Sequence, residues 1–112
     1  MKQIQWLGSS RADLKAFPTD ARRVAGFQLH LVQLGSDPND WKPLRTVGPG
    51  VREIRMHTGL EHRVVYVATF AEAVYVLHAF AKKTTKTTLR DLRIARDRFQ
   101  ALLAERRGTH GA

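Results

Sequence analysis

The chain has 112 residues, no cysteine, and a formal net charge of +9 from 19 lysines and arginines against 10 acids. A single domain over residues 1–112 is expected, since this length can bury a core without metals or disulfides and leaves little room for a second one. The missing cysteines exclude a disulfide framework, a thiolate zinc site, a cysteine-ligated iron–sulfur cluster and a cysteine nucleophile.

Residues 4–7 read as a short first strand. Ser10 is the expected N-cap of a helix over residues 11–17, with Asp13 three residues on, and Pro18 ends it. Thr19 caps a second helix over residues 21–34, where Val24, Phe27, Leu31 and Leu34 recur at helical spacing. Gly35 and Pro38 stop that helix. Residues 43–47 read as an edge strand, ended by Gly48-Pro49-Gly50. Residues 51–57, 62–70 and 73–80 are rich in β-formers with short connections, so they predict an antiparallel meander. A basic connector, residues 82–88, leads to Thr88, the cap of a last helix with the stripe Leu89, Leu92, Ala95, Phe99, Leu102 and Leu103. The tail from residue 107 to 112 is expected to fray. The expected class is α+β, with two N-terminal helices, a small twisted antiparallel sheet and a C-terminal helix. The helices cover one sheet face and the other is free to hold chemistry.

Strand alternation assigns that free face. Ile54 and Met56 turn to the helices, so Glu53, Arg55 and His57 turn outward. Arg63 starts the next strand close to His57, and Lys82 and Lys83 leave the third strand near the same end. Such a set suits RNA cleavage by attack of the 2′-hydroxyl. That reaction needs a base, cations on the scissile phosphate and an acid for the leaving oxygen. Glu53 is the candidate base and His57 the acid or a phosphate ligand. Arg55, Arg63 and Lys82 are candidate phosphate clamps. A charge ladder of ordinary solvated residues is the rival reading of the same pattern. No metal-ligand spacing stands out, and no cofactor is expected. His30 and His78 read as packing or hydrogen-bonded histidines, Trp6 and Trp41 as packing residues.

The charge excess favours an anionic partner. Between Lys82 and Arg107 lie nine cations and three acids. They form either a solvated helix face or a surface for RNA phosphates, which an acidic partner protein would also fit. Arg45, Arg52, Lys83, Lys86 and Arg90 are the candidate RNA-binding cations. No apolar run approaches the roughly 20 residues that span a bilayer. The first six residues lack the apolar core of a secretory signal. The expected location is the cytoplasm, with no membrane partner.

Four stretches resemble the RelE/ParE toxin superfamily, in particular its HigB-like, phage-derived branch of type II toxin–antitoxin systems. They are Pro43-Leu44-Arg45, Gly50-Val51-Arg52-Glu53-Ile54-Arg55, His62-Arg63-Val64-Val65-Tyr66, and the run from Val76 to Thr84. The run Lys82-Lys83-Thr84-Thr85-Lys86-Thr87 is similar to the Lys-Lys-Thr-x-Lys-Thr stretch of that branch. The resemblance implies a compact toxin fold, ribosome-dependent mRNA cleavage, and a cognate helix-turn-helix antitoxin as partner alongside the ribosome and mRNA. By position, Arg55 and Arg63 match cations of the active-site sheet. Lys82 falls where the family often carries an arginine, and Glu53 and His57 fall on positions whose identity varies. The chain departs from RelE itself in having no tyrosine after Tyr75 and in offering Glu53 and Arg55 where RelE has lysines. ParE members of the same superfamily poison DNA gyrase and cut no RNA, so a gyrase inhibitor is the alternative reading. A basic domain that binds nucleic acid passively is the third.

Overall fold

In chain order the elements are β1 (Gln3–Trp6), α1 (Ser10–Lys15), α2 (Thr19–Gln33), β2 (Trp41–Pro43), β3 (Val51–Thr58), β4 (Leu60–Val67), β5 (Ala73–Lys82) and α3 (Leu89–His110). They come from a computed structural model that describes residues 1–83 and 86–110. Thr84 and Thr85 of the basic connector, and the last two residues of the expected frayed tail, lie outside the described residues. Within them the helix runs on through Arg107 and Gly108, where fraying was expected.

The α+β class is as expected, but the sheet is mixed rather than antiparallel. Its strand order is β1-β5-β4-β3-β2. The meander β3–β4–β5 forms the antiparallel centre, and β2 joins it antiparallel at one edge. At the other edge β1 pairs parallel with Ala73–Val76 of β5. The short first strand expected at residues 4–7 is thus present as β1, paired ahead of the two helices, whereas the expected architecture began with the helices. Parallel pairing joins segments 70 residues apart, and local periodicity carries no trace of it.

Both faces of the sheet are covered, which corrects the expected free face. On one side Leu14 and Phe17 from the end of α1, and Ala21, Ala25, Leu29 and Val32 of α2, pack on Ile54, Met56, Val64, Tyr66, Val74 and Val76. On the other, Ala95, Phe99 and Leu102 of α3 pack on Val51, Val65, Val67 and Leu77. The stripe expected on the second helix is therefore displaced. Phe27 and Leu34 are exposed, and the buried line runs through two alanines that let the backbone approach the strands. Among the described residues, the part of the second face that α3 leaves open lies at the β3–β4 hairpin end, where Arg55 and His57 are partly exposed.

Local details set that end. Gly59, at φ +93°, closes the β3–β4 hairpin in one residue, so Thr58 pairs directly with Leu60. The expected four-residue loop is tighter, and Glu61 becomes a strand residue opposite His57. A register shift at Val65/Tyr66 puts Leu77 and His78 in succession on the α3 side of β5. Beyond it, Phe80 and Lys82 share a face with Arg63 and Glu61. Thr88 caps α3 as expected: the Asp91 N–H donates to Thr88 Oγ1, which in turn donates to Asp91 Oδ2. At α1 the cap is Ser9, which donates to Asp13 Oδ2. Ser10 is buried and donates to the Val76 carbonyl.

Candidate functional site

Four strands deliver charged side chains to the open end of the α3 face. Strand β3 brings Glu53, Arg55 and His57. Strand β4 brings Glu61 and Arg63, opposite His57 and Arg55. Strand β5 brings Lys82, opposite Glu61. Strand β2 brings Lys42, opposite Glu53. A segment sequence reasoning passed over adds Asp40, whose carbonyl accepts from the Arg55 N–H and so extends the ladder past β2.

Glu53 lies at the centre of this cluster and is wholly buried. Alternation placed it on the correct face, yet the expectation of an outward carboxylate fails. Lys42 Nζ and Arg63 Nε each lie 3.6 Å from its Oε1, and Thr87 Oγ1 donates to its Oε2 at 2.8 Å. Arg63 is nearly as buried. Its guanidinium donates to the His62 carbonyl at 2.9 Å and to Glu61 Oε1 at 3.0 Å. A buried carboxylate is stable here because cations surround it. In turn it holds those cations together against their mutual repulsion.

The rim is an exposed ion-pair chain. Arg55 Nε donates to Asp40 Oδ1 at 3.0 Å. His57 Nε2 lies 2.7 Å from Asp40 Oδ2, and His57 Nδ1 lies 2.7 Å from both oxygens of Glu61. The two carboxylates hold the imidazole from opposite sides and raise its pKa above the ordinary value, Asp40 contributing first and Glu61 second. The reciprocal effect lowers the pKa of both acids. Lys82 moves the other way: burial, then the nearby positive charge of Arg63, push its pKa down. The clamp thus favours the charged form of His57, while Lys82 gives up its proton more readily than a free lysine.

A groove of about 420 Å³ runs from Phe80, Ala81, Lys82 and Lys83 to Thr88, Arg90 and Asp91. It puts Lys83 and Arg90 on one groove with Lys82 of the cluster. Lys86 and Arg45 are both exposed, the latter in the turn after β2. Arg52 is the exception. Alternation turns it to the α2 side, where it pairs with Asp37 at 2.8 Å and lies over the Trp41 ring at 3.8 Å. Among the described residues no group of three metal-ligating side chains forms. Asp40 and Glu61 meet opposite ring nitrogens of His57 and do not converge on a common point. His78 is a packing residue, as its apolar strand suggested. It stacks on Phe80 at 4.8 Å and hydrogen-bonds Asp91 at 2.8 Å.

Sequence reasoning missed Asp40, Lys42, Glu61 and Thr87. Glu61 was legible in principle, because a hairpin closed by Gly59 alone puts it across from His57. Asp40 and Thr87 lie outside strands, where no periodicity points to a face.

No helix of the described residues is long and apolar enough to cross a membrane. No curated protein matches the chain. A family model described as phage-derived protein Gp49-like (DUF891) matches residues 12–100, which spans β2–β5 and every residue of the cluster. The match covers well over half of the sequence, and the chain belongs to this Gp49-like family, which is associated with RelE-like toxins.

Proposed function

We propose that the protein is the toxin of a type II toxin–antitoxin system and cleaves mRNA on the ribosome. The observation that carries this reading is the gathering of Arg55, Arg63 and Lys82 at one end of the sheet around a buried glutamate. Cations along the scissile phosphate and its neighbour stabilise the charge that develops as the 2′-hydroxyl attacks, and the sheet holds them at this end before substrate arrives. The positive charge comes from side chains, so the step as proposed needs no metal. His57, whose charged form the two carboxylates favour, is the acid for the leaving oxygen, and the proton of the attacking 2′-hydroxyl passes to water at the open rim. Glu53 is too deeply enclosed to take a proton from substrate. Its part is to position Arg63, Lys42 and Thr87. Lys83, Lys86, Arg90 and Arg45 extend the contact to neighbouring phosphates.

The Gp49-like membership and the resemblance of the segment from Pro43 to Thr87 to the HigB-like branch support the same reading. They bring with them a cytoplasmic setting and a helix-turn-helix antitoxin as partner. Controlled expression in a bacterial host, with mapping of new mRNA ends and a parallel gyrase supercoiling assay, tests it. New ends confined to translated regions are expected. Intact mRNA with inhibited supercoiling overturns the nuclease reading and makes the protein a ParE-like gyrase poison.

A further inference from the structure

Among the described residues, Arg55 and His57 on the exposed rim and the buried Arg63 beside them are already bound to internal acids. Asp40 bridges Arg55 Nε and His57 Nε2. Glu61 bridges His57 Nδ1 and Arg63 Nη2. Each carboxylate therefore takes two charged donors, from adjacent strand positions or across the hairpin. Two oxygens of a phosphodiester present the same arrangement of acceptors, and the planar guanidinium of arginine donates to either.

The geometry points to Asp40 and Glu61 as internal stand-ins for two neighbouring phosphates of a single-stranded nucleic acid, which the ligand displaces from either side of His57. The inference rests on the reading of this cluster as a phosphate-binding site, and adds to it a built-in restraint on binding.

Three features make displacement feasible. The acids lie at the rim: the side chains of Asp40 and Glu61 are 37% and 38% exposed, with Glu61 alone reaching the buried Arg63, whereas Glu53 beneath them is 0% exposed. Exposed pairs of this kind are weak, so a better acceptor competes with them. The Asp40 backbone stays anchored through the Arg55 N–H, so only its side chain has to turn. Charge supplies the driving force. With His57 protonated, Lys42, Arg55, His57, Arg63 and Lys82 face Asp40, Glu53 and Glu61. When the two rim acids swing out, five cations are left with one buried carboxylate, and two phosphates restore the balance. The free protein then binds nucleic acid less tightly than its +9 charge suggests.

The test is binding of a short single-stranded DNA oligonucleotide, which lacks the 2′-hydroxyl and is not cut, at two salt concentrations. Asp40→Asn and Glu61→Gln are each expected to tighten binding about two- to fivefold, the range an exposed ion pair allows, and the double variant more. Asp37→Asn is the control. It removes one negative charge from the pair with Arg52 on the opposite sheet face, and is expected to leave affinity within about a factor of 1.5. Weaker or unchanged binding by both rim variants overturns the proposal, since the acids then brace the cations. Equal tightening by Asp37→Asn also overturns it, because net charge alone explains the gain. Failure of every protein to bind at low salt overturns it too. Thermal melts establish that each variant is folded. The affinity ratios are read without cleavage, so they stand or fall separately from the mapping of mRNA ends.

Discussion

His57 and Lys82 are ordinary surface residue types placed in opposite electrostatic surroundings on one sheet face. The two carboxylates flanking His57 favour its charged form, and burial beside Arg63 disfavours that of Lys82. The sign for His57 has a consequence. Its pKa is raised on folding, so the clamp adds stability that is fully present below its ordinary value of 6.5. That contribution is lost as pH rises through the raised value. It is small, because the imidazole is half exposed. Following the imidazole ring protons by NMR across pH should give a midpoint above 6.5. In Asp40→Asn the midpoint should fall back towards 6.5, since Asp40 is the larger cause. A wild-type midpoint at or below 6.5 contradicts the clamp, and with it the assignment of His57 as the acid.

At the scale of elements, the site depends on where α3 stops covering the sheet. One anchor is the junction of Phe99 with the turn before β3. A Cβ built on Gly48 would lie 2.1 Å from Phe99 Cε2, closer than any real contact. Gly48→Ala therefore has to push Phe99 out of the buried cluster it shares with Val51, Val65 and Leu77. A cost of about 2 kcal/mol is expected from overpacking. Gly26 in the exposed part of α2 has nothing within 4 Å of the added carbon, so Gly26→Ala should gain about 0.5–1 kcal/mol from helix propensity. Urea unfolding of the two variants checks the contrast, and equal effects would remove Gly48 as a packing constraint. These elements were unevenly legible in the sequence. The meander was plain because β-branched residues fill β3, β4 and β5 between short turns. The α2 stripe was misplaced because periodicity weighs Phe27 and Leu34 as core, while tertiary packing chose the alanines. The same limit applies to Glu53: alternation tells the face of a strand residue, and its depth depends on Lys42 and Thr87, which come from elsewhere in the chain. The register shift at Val65/Tyr66, and the edge pairing of β1, are set by long-range contacts that no local pattern records.

For the whole molecule, the question is whether a charge of +9 acts as a diffuse attraction or through one site. Strand β3 contains its own control. Arg52 and Arg55 carry the same charge on the same strand, and their side chains are 35% and 39% exposed. Each pairs with one aspartate, Asp37 or Asp40. They differ in face. Arg55 stands among His57, Arg63 and Lys82, and Arg52 lies against Trp41 on the far side. Alanine at either position lowers the net charge by one and alters long-range steering about equally. The stability cost of losing either exposed ion pair is expected to stay below about 1 kcal/mol. Stacking on Trp41 makes Arg52→Ala the more disruptive to packing of the two. If the nucleic acid is handled by the cluster, Arg55→Ala should abolish growth arrest and new mRNA ends on induction. Arg52→Ala should leave both close to wild type, although its fold is the more perturbed. Equal loss in both variants would mean that bulk charge, or the opposite sheet face, carries the activity. The sequence alone grouped Arg52 with the candidate RNA-binding cations and Arg55 with the candidate phosphate clamps of the same strand. Folding separates the two residues by the thickness of the sheet, and this pair of substitutions measures what that separation does.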